Sequence, residues 1–120
     1  MHTIVETTTT FPSVAQQTNH GRLLYIILSF NGCSDTIDCL DSLYADLPKQ
    51  ADLLLIDNAS SGDVVSQLRG KFPQLEIIAL PENLGWAGGN NVGVRLGLQR
   101  GYDWICLLNN DTVFPEHAAR

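Results

Sequence analysis

Basic residues are scarce in this chain. Seven Lys and Arg stand against thirteen Asp and Glu, a formal net charge of −6 over 120 residues. Such a surface is a poor partner for nucleic acid or anionic lipid. A phosphorylated ligand is not excluded, because backbone amides and a divalent cation can hold phosphate without Lys or Arg. Cysteine is sparse too. Cys33, Cys39 and Cys106 are odd in number and show no C-x-x-C spacing. They read as free thiols in a reducing compartment, and a zinc site lacks its fourth ligand. No basic start followed by an apolar run marks a secretory signal. The longest apolar run, Leu23 to Leu28, is too short to span a bilayer. The expected location is the cytoplasm. His2, His20 and His117 are scattered along the chain, and no Ser/His/Asp or Cys/His arrangement is legible.

What is present is an ordinary globular balance, 44% hydrophobic and 17% charged, with length for one domain. Residues 1–20 are rich in Thr, Gln and Ser, without a period, and read as a flexible tail. From Gly21 the pattern changes. Leu23 to Leu28 is an apolar run without alternation, as expected of a strand buried on both faces. A helix follows, capped by Ser34 or Asp35, with Ile37, Leu40, Leu43, Tyr44 and Leu47 on one face and Pro48 as its stop. Leu53 to Ile56 is a second strand, and Val64, Val65, Leu68 and Phe72 mark a second helix. Leu75 to Leu80 is a third strand. Pro81 to Asn91 reads as a long Gly/Asn loop before a helix from about Asn91 to Arg100, and Trp104 to Leu108 is a fourth strand. Strand and helix alternate four times, which predicts an α/β fold: a parallel sheet with crossover helices.

In an open α/β sheet, ligands bind beyond the carboxyl ends of the strands. The polar residues cluster at those ends: Ser29-Phe30-Asn31, Asp57-Asn58-Ala59-Ser60, Asn83 to Asn91, and Asn109-Asn110-Asp111. Gly85, Gly88 and Gly89 before a helix suit either close approach to a pyrophosphate or a mobile turn. The spacing is not G-x-G-x-x-G, and the stretch follows the third strand, which argues against a dinucleotide site. Asp111 and Asp57 each follow an apolar strand. Asp111 can hold a divalent cation shared with phosphate oxygens, or cap a turn. Asp57 can accept a hydrogen bond from a pyrimidine ring, or simply form the Asp-Asn-Ala-Ser turn. Trp86 can stack on a sugar or base, whereas Trp104 reads as core. A nucleotidyltransferase is disfavoured, because Ser29 to Cys33 carries no basic residue for a phosphate loop.

The ordered set of these motifs, from about Leu23 to Pro115, resembles family 2 glycosyltransferases of the GT-A (Rossmann-like) fold, most of all a rhamnosyltransferase-like subgroup. The resemblance implies transfer of a sugar, with inversion, from a nucleotide diphosphate sugar (dTDP- or UDP-linked) to a hydroxyl of a glycan or lipid-linked acceptor. It implies that Phe30 and Asn31 lie beside the base and that Asp57 accepts from the uracil or thymine ring. Asn83, Gly85, Gly89 and Asn91 border the nucleotide. Asn109, Asn110 and Asp111 match the Asp-x-Asp position, with Asp111 on Mn²⁺ or Mg²⁺. Asn109 departs from the more usual Asp and removes one charge. The family's catalytic base lies well downstream, and Glu116 is too close to the metal motif to serve; no catalytic residue is assigned. The expectation is therefore a nucleotide-sugar-binding portion over residues 21–120, incomplete at the C-terminus. The alternative is a truncated, non-catalytic nucleotide-binding fragment. No transmembrane segment is expected, and peripheral membrane association is left open by the nature of the acceptors.

Overall fold

A computed structural model of the protein describes residues 3–6, for the backbone, and 21–111. The three histidines, Thr7–Thr10 and Glu116 lie outside the described residues. The elements run β1 (Thr3–Glu6), β2 (Leu23–Ser29), α1 (Cys33–Ala45), β3 (Ala51–Asp57), α2 (Val64–Lys71), β4 (Glu76–Ala79), α3 (Gly85–Gln99) and β5 (Trp104–Asn109). All pairings are parallel, in the order β1-β5-β2-β3-β4. The expected α/β architecture is the observed one.

The continuous apolar runs are explained by two cores. Alternate residues of β2 and β3 point to opposite faces. Tyr25, Ile27, Leu53 and Leu55 pack with Cys39, Leu40 and Leu43 of α1 and with Leu68 and Phe72 near α2. Leu24, Ile26, Leu28, Leu54 and Ile56 pack on the other face with Val94 of α3, Tyr102 and Ile105. Ile26, Ile27, Leu55 and Ile56 are fully buried, each contributing about 1.5–3 kcal/mol from transfer out of water. β4 sits at the edge and is only half-buried. No disulfide joins the three cysteines.

Three expectations change at the element ends. Within the segment read as a tail, Thr3–Glu6 form β1 at the sheet edge, in register with Trp104 to Leu107; three of these four residues are β-branched, a composition suited to a strand. α1 begins after Gly32, whose φ of 52° is left-handed, and neither Ser34 nor Asp35 caps it. The largest difference is α3, which starts at Gly85 and not near Asn91. Among the described residues no helix is long and apolar enough to cross a membrane.

Candidate functional site

The chain runs outward from β2 through β3 to β4, then returns over the sheet by α3 to place β5 on the other side of β2. Strand order therefore reverses at β2, and the loops after β2 and β5 diverge to leave a crevice at their carboxyl ends. An open cleft of about 360 Å³ occupies that position, lined by Leu28, Phe30, Asn58, Asn83, Gly85, Trp86, Asn109, Asn110 and Asp111. Four separate stretches of sequence meet there. Phe30 and Trp86 are 49% and 56% exposed, so two aromatic rings stand at the cleft with much of their surface open.

The turns after β2 and β3 are tied to each other. Asn31 and Gly32 both adopt positive φ, 54° and 52°, a conformation that Asn and Gly reach most readily. The Asn31 amide N–H donates to Ser60 Oγ at 2.6 Å, and Asn31 Oδ1 accepts from the Ser61 N–H at 3.0 Å. Ala59, at φ 66°, folds the chain back. Ser60 then donates twice to Asp57: its N–H to Oδ2 at 2.9 Å and its hydroxyl to Oδ1 at 2.6 Å. Asp57 is consequently 1% exposed and does not line the cleft. Asn31 also stays off the cleft wall.

Asn58, which the sequence reading passed over, does more at this site. It is buried, and its Oδ1 accepts from the Leu84 N–H at 2.9 Å while its Nδ2 donates to the Gly85 carbonyl at 3.0 Å. Both bonds hold the start of α3. Asn83 Oδ1 accepts from the Gly85 N–H at 2.7 Å. These contacts supply partners to amides that a helix start otherwise leaves unpaired. The only signal for Asn58 was its place directly after Asp57.

The glycine-rich stretch is thus helix and not loop. A Cβ on Gly89 would meet Leu28 Cδ1 at 2.6 Å and Asn58 Nδ2 at 3.2 Å. Gly89 lets α3 sit down on β2, and it is buried against the sheet instead of bordering the cleft. Asn91 is exposed on α3 and is likewise absent from the cleft wall. Gly85 and Asn83 do line it.

At the end of β5 the three motif residues diverge. Asn109 is exposed, and its Oδ1 accepts from the Trp86 indole N–H at 3.1 Å. Asn110 is half-buried and donates through Nδ2 to Thr36 Oγ1 at 3.0 Å, which ties the motif to α1. Asp111 is exposed and, among the described residues, is the one ionisable side chain lining the cleft. Among the described residues no group of three His, Cys, Asp or Glu comes together as a metal cage. Asp111, with no Lys or Arg beside it among the described residues of the cleft, still fits a divalent cation whose other ligands are phosphate oxygens and water.

Comparison with known proteins follows the same lines. Residues 25–119 match the family model described as glycosyl transferase family 2. Uncharacterized proteins of Mycobacterium bovis and Mycobacterium tuberculosis are 43% identical over 75 residues, 59% of this chain. The matched stretch spans 25% of the length of these curated relatives. A mannosyltransferase from Pyrobaculum calidifontis, in complex with GDP-Man and Mn²⁺, superposes with a TM-score of 0.69 at 20% identity, covering 83% of this chain and 30% of that one. S. aureus TarS 1-349, in complex with UDP-GlcNAc, gives 0.63 at 21% identity over 75% of this chain and 26% of its own.

Proposed function

Because this chain belongs to glycosyl transferase family 2, we propose that it supplies the donor-binding part of an enzyme that moves a sugar from a nucleoside diphosphate to an acceptor hydroxyl with inversion. The observation that carries this reading is the cleft at the strand-order reversal, whose wall, among the described residues, holds one carboxylate, Asp111, and no basic side chain. A diphosphate entering such a cleft needs a cation. Asp111 is the residue that would hold Mn²⁺ or Mg²⁺, and the bound ion would offset charge on the departing diphosphate as a Lewis acid. The structurally similar mannosyltransferase with GDP-Man and Mn²⁺ and TarS with UDP-GlcNAc support the same ligand class.

The remaining roles fall to this chain's own groups. The amino end of α3 directs its partial positive charge toward the cleft, where Gly85 and Trp86 form part of the wall. Phe30 and Trp86 offer ring faces to a base or sugar. Asp57 reaches the ring N–H of uracil or thymine only when the Ser60–Asn31 turn swings aside. We assign no catalytic base among the described residues, of which Asp111 is the one carboxylate on the cleft wall. A dTDP- or UDP-linked sugar as donor, as in a rhamnosyltransferase-like enzyme, a glycan or lipid-linked acceptor, and a cytoplasmic location, at the membrane periphery for a lipid-linked acceptor, complete the proposal.

Calorimetric titration with UDP, GDP and dTDP tests the site. Binding is expected with Mn²⁺ and not in EDTA. Asp111→Ala should weaken the Mn²⁺-dependent binding about tenfold or more, the scale of one charge-assisted contact. Equal affinity with and without metal in the unmodified chain would sink the assignment.

A further inference from the structure

We propose that Trp86 fixes the polarity of Asn109, so that Asn109 meets the ligand as a hydrogen-bond donor to a nucleotide oxygen and not as a ligand of the metal. The inference rests on the proposed nucleotide site. It starts from one asymmetry: an indole N–H can only donate, whereas a carboxamide has a donor end and an acceptor end. Trp86 Nε1 lies 3.1 Å from Asn109 Oδ1. The amide oxygen is therefore turned toward Trp86, and Nδ2, with two N–H groups, is the free end. Among the described residues Nδ2 makes no hydrogen bond. Asn109 is exposed and lines the cleft beside Asp111.

Trp86 is well placed to hold this arrangement. It sits in the first turn of α3, whose start Asn58 grips from both sides through Leu84 and Gly85. Asn110 is turned elsewhere, its own Nδ2 spent on Thr36. Three consecutive residues thus divide the work: Asn109 donates, Asn110 anchors, and Asp111 supplies the charge. A carboxylate at 109 would put two negative charges against an anionic diphosphate; the amide keeps one and adds an N–H directed at phosphate or hydroxyl oxygen. The Trp86 indole N–H acts through Asn109, and in this Trp86 is a positioning residue, apart from the ring face it offers in the cleft.

The test is a double-mutant cycle on the full chain, with UDP as probe at saturating Mn²⁺ and with Mn²⁺ alone followed by electron paramagnetic resonance. Trp86→Phe keeps an aromatic ring and removes the indole N–H together with the five-membered ring, and the exposure of Trp86 leaves the core untouched. Asn109→Ala should weaken UDP about tenfold and Trp86→Phe about three- to tenfold, with the double variant no weaker than Asn109→Ala. Affinity for Mn²⁺ alone should stay unchanged in both, and Asn109→Asp should raise it. The indole N–H proton resonance of Trp86 should move in Asn109→Ala. Additive losses, equal UDP binding by Trp86→Phe, or loss of Mn²⁺ affinity in Asn109→Ala overturns the inference alone. An unmodified chain that binds neither UDP nor GDP in Mn²⁺ overturns the proposed function, and the inference with it.

Discussion

Asn58 shows how much one side chain can decide. Its two ends bond to consecutive residues at the start of α3, at 2.9 and 3.0 Å, and it is 3% exposed. Replacement by Ala would take these partners from the Leu84 N–H and the Gly85 carbonyl at the edge of the cleft. The expected loss is about 1–3 kcal/mol, read as a lower midpoint in urea unfolding, together with weaker nucleotide binding as Trp86 loosens. Unchanged stability would mean that water replaces the amide at no cost. The residue pattern alone named Asp57 of the Asp-Asn-Ala-Ser turn for the ligand and was silent on Asn58. Both sit at the end of the same strand, and successive residues leave a strand in opposite directions. Asp57 turned toward Ser60 and was sealed, while Asn58 turned toward α3 and the cleft. Composition carries no information about which of two neighbours turns which way.

At the scale of elements, α3 is set by a stripe of glycines at every fourth position. A Cβ on Gly93 would meet Ile26 Cγ2 at 2.9 Å, and one on Gly97 would meet Ile105 Cδ1 at 2.9 Å. Together with Gly89, these positions bring the helix backbone onto β2 and β5. Val92 and Leu96 pack against the core only partly, while Val94 and the glycines take the central positions. Helix propensity alone disfavours so many glycines, and for that reason the stretch resembled a loop; close packing compensates. Gly93→Val should therefore destabilise by about 1–3 kcal/mol through overpacking. Gly70, in α2, has nothing within 4 Å of its would-be Cβ, so Gly70→Ala should stabilise by about 0.5–1 kcal/mol. Thermal melts of the two variants separate packing from propensity. A Gly93→Val chain that melts with the unmodified one would refute the close approach.

For the whole molecule, the sheet's buried centre sets the response to alkali. Burial, and secondarily the neighbouring Cys106, push the Tyr25 phenol up to about 12. Unfolded, the phenol ionises near 10. Above that pH the unfolded chain gives up a proton that the folded chain keeps. Stability is thus intact below pH 10 and falls through the window from 10 to about 12, by about 3 kcal/mol for a displacement of that size. Tyr44, through burial, and Tyr102, through burial and then its bond to Asp52, move in the same direction. Urea unfolding at pH 9 and pH 11.5 should show a smaller drop for Tyr25→Phe than for the unmodified chain; identical drops would rule Tyr25 out as a contributor. The exposed Arg100–Glu76 pair, 41% and 45% accessible, contributes about 0–1 kcal/mol and does not compete with this effect.

The sequence by itself determined the strands β2 to β5, the alternation with helices and the polar clusters at strand ends, because burial on two faces writes itself directly into apolar runs. It also carried the motif order by which the family is recognised. Tertiary structure decided the rest. Thr3–Glu6 became a strand through pairing with β5, about a hundred residues away in sequence, a partnership that no local pattern encodes. The return of α3 across the sheet made β2 the point of reversal and opened the cleft between Phe30 and Asp111. Contacts between those distant segments selected which polar residues stand in the cleft and which are bonded away beneath it. Local propensity fixes where a strand ends, but only packing fixes what its last side chains meet.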